Sequence, residues 1–354
     1  MKKLLVYTTQ MMETGGLESH ILEFCQNMSG PEIEIFLVVL NSELTPRQIA
    51  LYKKYCAKVF LGSVANPKLR PFWLLTTGLQ LMRYSFDAFY SNGQGNSISL
   101  FSKLIRRTGP WVHHHHTAGD TEDQETWTKG YLETLEKADT VIACSTFNAK
   151  AMEAVLKRRI DMIPCFSRKL PVHPSRHGDN SPLKLGYYGR LIPEKGIDTI
   201  CMLSDETQFA NIEFHIWGKG EAYPPAFFTK YPKVKYNGAF STFEELVKVV
   251  NGLDGFLLIS THPEGLPISL LEVMSAGVPW LATDRGGIRD IVIDKDSTRM
   301  IASDLSYEQI KNAVSAFIND ISLGRIKRDA QRKLYNYKFS AEALKTQWCN
   351  IFNF

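Results

Sequence analysis

Residues 260–272 read Ser260-Thr261-His262-Pro263-Glu264-Gly265-Leu266-Pro267-Ile268-Ser269-Leu270-Leu271-Glu272. The apolar run Gly255–Ser260 in front of them predicts a buried strand, and Ile268–Ala276 behind predicts a helix. Pro267 suits the first turn of that helix, where a missing N–H costs nothing. The unpaired N–H groups of the helix start offer a place for a phosphate oxygen. Glu264 precedes the helix and Glu272 lies in it. Straight helix would separate the two by about 12 Å, and a bent path by roughly 10 Å. Two carboxylates so spaced around a phosphate site match the two ends of a nucleotide sugar, one accepting from sugar hydroxyls and the other from ribose hydroxyls. A loop acid and an ordinary helical glutamate would leave the same pattern, and this stretch alone does not choose.

Outward from it, the strand–helix alternation runs the length of the chain. Apolar runs at Leu4–Tyr7, Glu34–Leu40, Lys58–Leu61, Ala88–Tyr90, Trp111–His115 and Thr140–Cys144 predict the strands of a first unit. Leu183–Tyr188, Glu213–Trp217, Val234–Gly238, Gly255–Ser260 and Pro279–Ala282 predict those of a second. Helix candidates lie between them at Leu17–Met28, Glu133–Ala138, Asn148–Leu156, Phe243–Gly252 and Ile268–Ala276. This predicts an α/β chain of two Rossmann-like domains, each a parallel sheet with helices on both faces. Ile163-Pro164-Cys165-Phe166 closes the first. Residues 169–182, polar, proline-containing and without periodicity, predict a linker, so the expected domains are 1–168 and 183–339. The last stretch, 340–354, predicts a helix with Leu344, Trp348 and Ile351 on one side, whose packing partner periodicity does not name.

Composition narrows the class. With 354 residues, 44% of them hydrophobic and 22% charged, the chain is an ordinary folded protein of about two domains, neither disordered nor fibrous. No run of 18 apolar residues predicts a spanning helix. Met1-Lys2-Lys3-Leu4-Leu5-Val6-Tyr7 runs straight into a strand and lacks the apolar stretch of a secretory leader, so a cytoplasmic protein is expected. The net charge of +4 is too mild for a nucleic-acid partner. Its excess lies in residues 1–170, with 20 basic and 16 acidic side chains against 21 of each in the remainder, which mildly favours an anionic partner for the first half. Cys25, Cys56, Cys144, Cys165, Cys201 and Cys349 are scattered with no C-x-x-C pair, so reduced thiols are expected rather than a zinc or redox motif.

Four further features stand out. Glu13-Thr14-Gly15-Gly16-Leu17-Glu18 follows the first strand and opens a helix; glycine lets backbone approach a ligand, though a tight turn would explain the pair as well. His113-His114-His115-His116 ends a strand, and alternation points His114 and His116 the same way. Because neighbours on a strand face opposite sides, the four histidines cannot share one ion, and no metal is expected there. Asp294-Lys295-Asp296 reads as a solvated loop. Residues 71–86 are apolar around much of a helix, which fits a core helix or, with Lys68, Arg70 and Arg83 beside Phe72, Trp73 and Leu74, a membrane-surface contact over residues 68–86.

Glu264 and Glu272, with seven residues between them, resemble the paired-glutamate signature of the retaining glycosyltransferases of family four (glycosyl transferases group 1), which have the GT-B fold. Tyr187-Tyr188-Gly189-Arg190-Leu191-Ile192-Pro193-Glu194-Lys195-Gly196 is similar to that family's strand–loop segment, and Trp217-Gly218-Lys219-Gly220 to its Gly-x-Gly turn. No third glycine follows, so this is not the dinucleotide fingerprint of a nicotinamide dehydrogenase. Asn237-Gly238-Ala239-Phe240 resembles the segment whose backbone reads the base, and Ser275-Ala276-Gly277-Val278-Pro279 the turn after the second glutamate. Asp284-Arg285-Gly286-Gly287-Ile288-Arg289-Asp290 resembles the next loop, with Arg289 where proline is common and Asp290 where glutamate is common.

The resemblance implies two Rossmann-like domains facing across a cleft, the first binding the acceptor and the second the nucleotide sugar, with the final helix packing back on the first. It implies Arg190 and Lys195 on the donor diphosphate and Glu264 on the sugar. The histidine on the sugar would be His116, with His114 second. Gly15, Gly16, Gly189, Gly218, Gly238, Gly265, Leu266, Pro267 and Glu272 would line the donor site. It implies neither a metal nor a cofactor, a UDP- or GDP-sugar as donor, and transfer with retention. The acceptor would be a sugar or lipid-linked sugar; the basic first half and the apolar stretch 71–86 mildly favour a lipid-linked one at an inner membrane face, as in surface polysaccharide or glycolipid assembly. A small soluble acceptor, a sugar-nucleotide epimerase and a non-catalytic sugar-nucleotide-binding protein are the alternatives.

Overall fold

The computed structural model describes residues 1–13, 15–63, 67–173, 181–292 and 298–354. Among them the chain forms two compact units, Met1–Phe166 with Ala341–Phe354, and Ser167–Ser340.

The first unit is a parallel sheet of β1 (Lys2–Met11), β2 (Ile33–Ser42), β3 (Lys58–Ser63), β4 (Ala88–Asn92), β5 (Trp111–His115), β6 (Thr140–Ala143) and β7 (Asp161–Met162), in the order β3-β2-β1-β4-β5-β6-β7. Side-chain alternation along β1 and β2 divides its core in two. Leu4, Val6, Ile35 and Leu37 pack on one face, with Phe24 and Trp348. Leu5, Tyr7, Phe36 and Val38 pack on the other, with Phe101 and Tyr131. The helix Ala341–Phe352 belongs to the first of these faces, where Trp348 sits edge-on to Phe24 at 5.4 Å and to Tyr90 at 5.2 Å. Its buried row is Leu344, Trp348 and Phe352, a spacing of four, with Ile351 half-buried beside it.

The second unit is a parallel sheet of β8 (Leu183–Tyr188), β9 (Ile212–Trp217), β10 (Val234–Tyr236), β11 (Gly255–Leu258), β12 (Trp280–Thr283) and β13 (Arg299–Ile301), in the order β10-β9-β8-β11-β12-β13. In each sheet the order reverses beside the first strand, between β1 and β4 and between β8 and β11. Open α/β sheets bind ligands beyond the carboxyl ends of the strands at such a point.

Several details differ from the sequence expectation. β7 and β13 were not anticipated, because two- and three-residue strands carry no usable periodicity. β11 stops at Leu258, which places Ser260 in the loop. Residues 169–173, expected as linker, pack within the second unit: Leu170 N–H donates to Ser275 Oγ at 2.9 Å and His173 N–H to the Ala276 carbonyl at 2.9 Å. Asp294, Lys295 and Asp296 lie outside the described residues. The helix Arg70–Leu81 has one core face, with Leu74, Thr77, Gly78 and Leu81 buried, while Phe72 (67% exposed), Leu75, Leu79 and Met82 form an outward apolar stripe. Among the described residues no helix is long and apolar enough to cross a membrane.

Candidate functional site

In the second unit the loops leaving β8, β9 and β10 are stitched together by backbone. Gly189 N–H donates to the Trp217 carbonyl at 3.2 Å, Leu191 N–H to that of Lys219 at 2.9 Å, and Gly218 N–H to that of Gly238 at 2.9 Å. Gly218 has φ +144 and its missing Cβ would collide with the Gly189 carbonyl, so only glycine permits this approach. Gly189, Gly218 and Gly238 thereby share one edge of the unit.

The loop after β11 carries Glu264 into the same neighbourhood. Its buried carboxylate holds Lys195 Nζ at 2.5 Å from each oxygen, and Ser260 Oγ at 2.5 Å from Oε1. Lys195 arrives from the short turn Pro193–Lys195, whose Glu194 carbonyl accepts from Thr261 N–H at 2.8 Å. The Gly286-Gly287 loop braces the acid from behind: Gly287 N–H donates to the Glu264 carbonyl at 2.9 Å, and at Gly286 (φ +55) a Cβ would overlap Glu264 backbone. Arg289 pairs with Asp284 through two contacts of 2.5 and 2.6 Å, so the residue standing where proline is common has a local partner. Arg190 is exposed, with no hydrogen bond or ion pair to its guanidinium among the described residues.

Glu272 sits one turn into the helix Ile268–Ala276, 1% exposed. Arg168 Nε meets its Oε1 at 2.6 Å, and Tyr188 Oη lies 3.0 Å from its Oε2. Burial first, and the charge of Glu272 second, push the Tyr188 phenol well above its usual range, so it remains a protonated donor. Both oxygens of Glu272 are thus engaged within the protein. Pro267 stands immediately before the helix rather than in its first turn, as an N-cap without a side-chain cap bond. Gly265 is partly exposed beside buried Leu266 and Pro267. Arg168, Tyr188 and Ser260 were given no role by the sequence reading. Arg168 lay at the edge of an expected linker, and the other two sit inside quoted motifs whose partners only folding reveals.

In the first unit, Gly16 begins the helix Gly16–Met28 and Gly15 precedes it in extended backbone open to any residue; Thr14 lies outside the described residues. The histidine run splits as alternation predicts. His113 and His115 face Tyr131, at 3.2 and 2.6 Å, and His115 also meets Asp123 at 3.0 Å. His114 and His116 face the other way, their rings 4.1 Å apart and 5.2 and 5.0 Å from that of His20. His20, on the helix after the glycine pair, accepts from Phe166 N–H at 2.9 Å and is held neutral by burial, which pushes it down to about 3. Burial also lowers His116. His116 Nδ1 points at Cys165 and Cys144, while Nε2 is buried without a partner among the described residues. The proximity of His20 was not legible in the chain, since it lies 96 positions from His116.

Residues 173–337 match the family described as Glycosyl transferases group 1, and residues 14–166 match Glycosyltransferase Family 4. An uncharacterised glycosyltransferase of Methanocaldococcus jannaschii is 24% identical over 96% of this chain and 94% of its own length. Among solved structures, HepE of Anabaena in complex with UDP-glucose aligns with a TM-score of 0.78 at 16% identity, covering 99% of each chain. A mutant form of TarM of S. aureus in complex with Fondaparinux, alpha-GlcNAc-glycerol and UDP aligns with a TM-score of 0.79 at 14% identity, covering all of both chains. The two family matches span nearly the whole sequence, and the chain belongs to the group 1 glycosyltransferases, with the two parallel-sheet, Rossmann-like domains of the GT-B fold.

Proposed function

We propose that this glycosyltransferase moves a sugar, with retention at the anomeric carbon, from a nucleoside-diphosphate donor to an acceptor hydroxyl. The observation that carries the reading is the Lys195–Glu264 pair at the strand ends of the second unit, together with Arg190, exposed and unpaired among the described residues, and the start of the helix Ile268–Ala276, where Pro267 provides no side-chain cap. The second unit then holds the donor and the first the acceptor.

The diphosphate leaving group gains negative charge as the glycosidic bond breaks. Arg190, Lys195 and the N–H groups after Pro267 supply fixed positive charge where that develops, with no metal required at the phosphates. In the ligand-free chain Lys195 is held by Glu264. Donor phosphate competes for the ammonium and frees a Glu264 oxygen to accept from a sugar hydroxyl, so one ion pair serves as a preformed donor site. Glu272, locked by Arg168 and Tyr188, fixes the first turns of its helix beneath the nucleotide. On the first unit, His116 and the Gly15-Gly16 loop are the residues we propose for the donor sugar.

UDP in the solved complexes of HepE and TarM supports a uridine donor over a guanosine one. The outward stripe of Phe72, Leu75, Leu79 and Met82 beside Arg70 and Arg83 supports a lipid-linked acceptor met at an inner membrane face, as in surface polysaccharide or glycolipid assembly. Donor turnover, read as nucleoside diphosphate release, should fall at least ~100-fold in Lys195→Ala, the effect of losing one charge-stabilising group. Normal turnover by the folded variant would sink the assignment. NMR of the product tests retention: an inverted anomeric centre would contradict it.

A further inference from the structure

Three neighbouring strand ends of the first unit bring four soft ligand atoms together. His114 lies at the end of β5 and His116 one residue beyond it, Cys144 follows β6, and Cys165 comes three residues after β7. Cys144 Sγ lies 3.3 Å from His114 Nε2, 3.6 Å from His116 Nδ1 and 3.2 Å from Cys165 Sγ, and Cys165 Sγ lies 3.4 Å from His116 Nδ1. One ligand atom from each of the four residues falls within 4.8 Å of all the others. A tetrahedral centre with metal–sulfur bonds of about 2.3 Å and metal–nitrogen bonds of about 2.0 Å sets its ligand atoms roughly 3.3–3.8 Å apart.

We propose that His114, His116, Cys144 and Cys165 bind a zinc ion in a closed, structural site. The donor chemistry selects the metal: two thiolates and two imidazoles suit zinc and exclude magnesium and calcium, which take oxygen ligands. The charges also suit the place. Two thiolates cancel the dication, leaving a neutral centre in an interior where a lone charge would be expensive. Four protein ligands leave no open position, so the ion ties β5, β6 and the segment after β7 together and performs no chemistry.

The surroundings supply outer partners. His114 presents Nε2 to the cluster and Nδ1 to Tyr90 Oη at 3.0 Å, and the same phenol oxygen meets His20 Nε2 at 2.9 Å. Phe166 N–H fixes His20 as the tautomer with its proton on Nε2. With zinc on His114 Nε2, Nδ1–H donates to the phenol oxygen, whose two lone pairs accept from both rings. The cost is that the phenol's own proton loses its acceptor. His116 would ligate through Nδ1 and carry its proton on Nε2. The zinc site does not rest on the function proposed above.

The four histidines considered alone cannot chelate one ion, and alternation does send His113 and His115 to Tyr131. The missing partners are cysteines 28 and 49 residues beyond His116, at no zinc-finger spacing, gathered by the parallel sheet. A metal-free chain has two other uses for them: Cys144 can donate to the His115 carbonyl at 3.2 Å, or the two sulfurs can be oxidised to a disulfide.

The test is elemental analysis of the purified full chain after gel filtration. Roughly one zinc per chain is expected, retained through the column and lost in Cys165→Ser. Cys201→Ser, on the second unit, should retain the metal. Should Cys165→Ser fail to fold, cobalt substitution of the wild-type chain decides: tetrahedral d–d bands with thiolate-to-cobalt charge transfer support the site. Substoichiometric zinc that Cys165→Ser leaves unchanged, a cobalt spectrum without thiolate bands, or an intact mass showing a Cys144–Cys165 disulfide would each overturn it.

Discussion

At the scale of single residues, the second unit spends its charge in pairs. Glu264 has Lys195 and Glu272 has Arg168, each acid buried and each cation mostly covered. Removing one partner strands the other. Arg168→Ala should therefore destabilise the protein by about 3–5 kcal/mol, because Glu272 would be left buried and uncompensated. Urea unfolding measures this directly, and a loss below 1 kcal/mol would mean that the pair is solvated. Arg190 is the opposite case: exposed, and unpaired among the described residues, it should be replaceable by alanine with little change in the unfolding midpoint but with weaker nucleotide binding. The spacing of Glu264 and Glu272 marked them as candidates in the sequence, and the family resemblance rather than the spacing chose between a donor site and an ordinary loop and helix. Arg168 was not, because a cation flanked by linker-like residues has no periodicity to place it against a helix 104 positions later.

Elements carry the next level. The helix Ala341–Phe352 closes the core of the first unit with Trp348, so Trp348→Ala should cost about 3–5 kcal/mol, most of it as the cavity left among Phe24, Tyr90 and Phe352. A deletion of this helix that left stability unchanged would show the packing to be incidental. The helix Arg70–Leu81 makes a different prediction. Phe72→Ser with Leu79→Ser removes exposed apolar area only, so sedimentation with anionic vesicles should fall while the melting temperature holds. Unchanged vesicle binding would remove the membrane from the account. Period-2 and period-3.6 patterns located these longer elements but not all of their ends: the helix expected over 71–86 stops at Leu81, and β1 runs on to Met11 beyond the expected Tyr7. They failed at β7 and β13, where two or three residues hold too little pattern to register.

For the whole molecule, two sheets whose strand order reverses beside their first strand explain why chemistry gathers at strand ends. Gly189, Gly218, Gly238 and Glu264 come from four loops of one edge, and His116, Cys144 and Cys165 from adjacent ends of the other sheet. The fold class could be read from strand–helix alternation because that pattern is local and repeated. The histidine–cysteine cluster could not, because its members meet only once β5, β6 and β7 lie side by side. The central claim is that the second unit binds a nucleoside diphosphate through Arg190 and Lys195. Calorimetric titration with UDP and GDP, in EDTA, on the wild-type chain, Arg190→Ala and Lys195→Ala tests it most directly. The account predicts that one nucleotide binds without metal and that each variant weakens it about tenfold or more, the worth of a charge-assisted hydrogen bond. Absence of binding by folded protein, or equal affinity in all three chains, would contradict it.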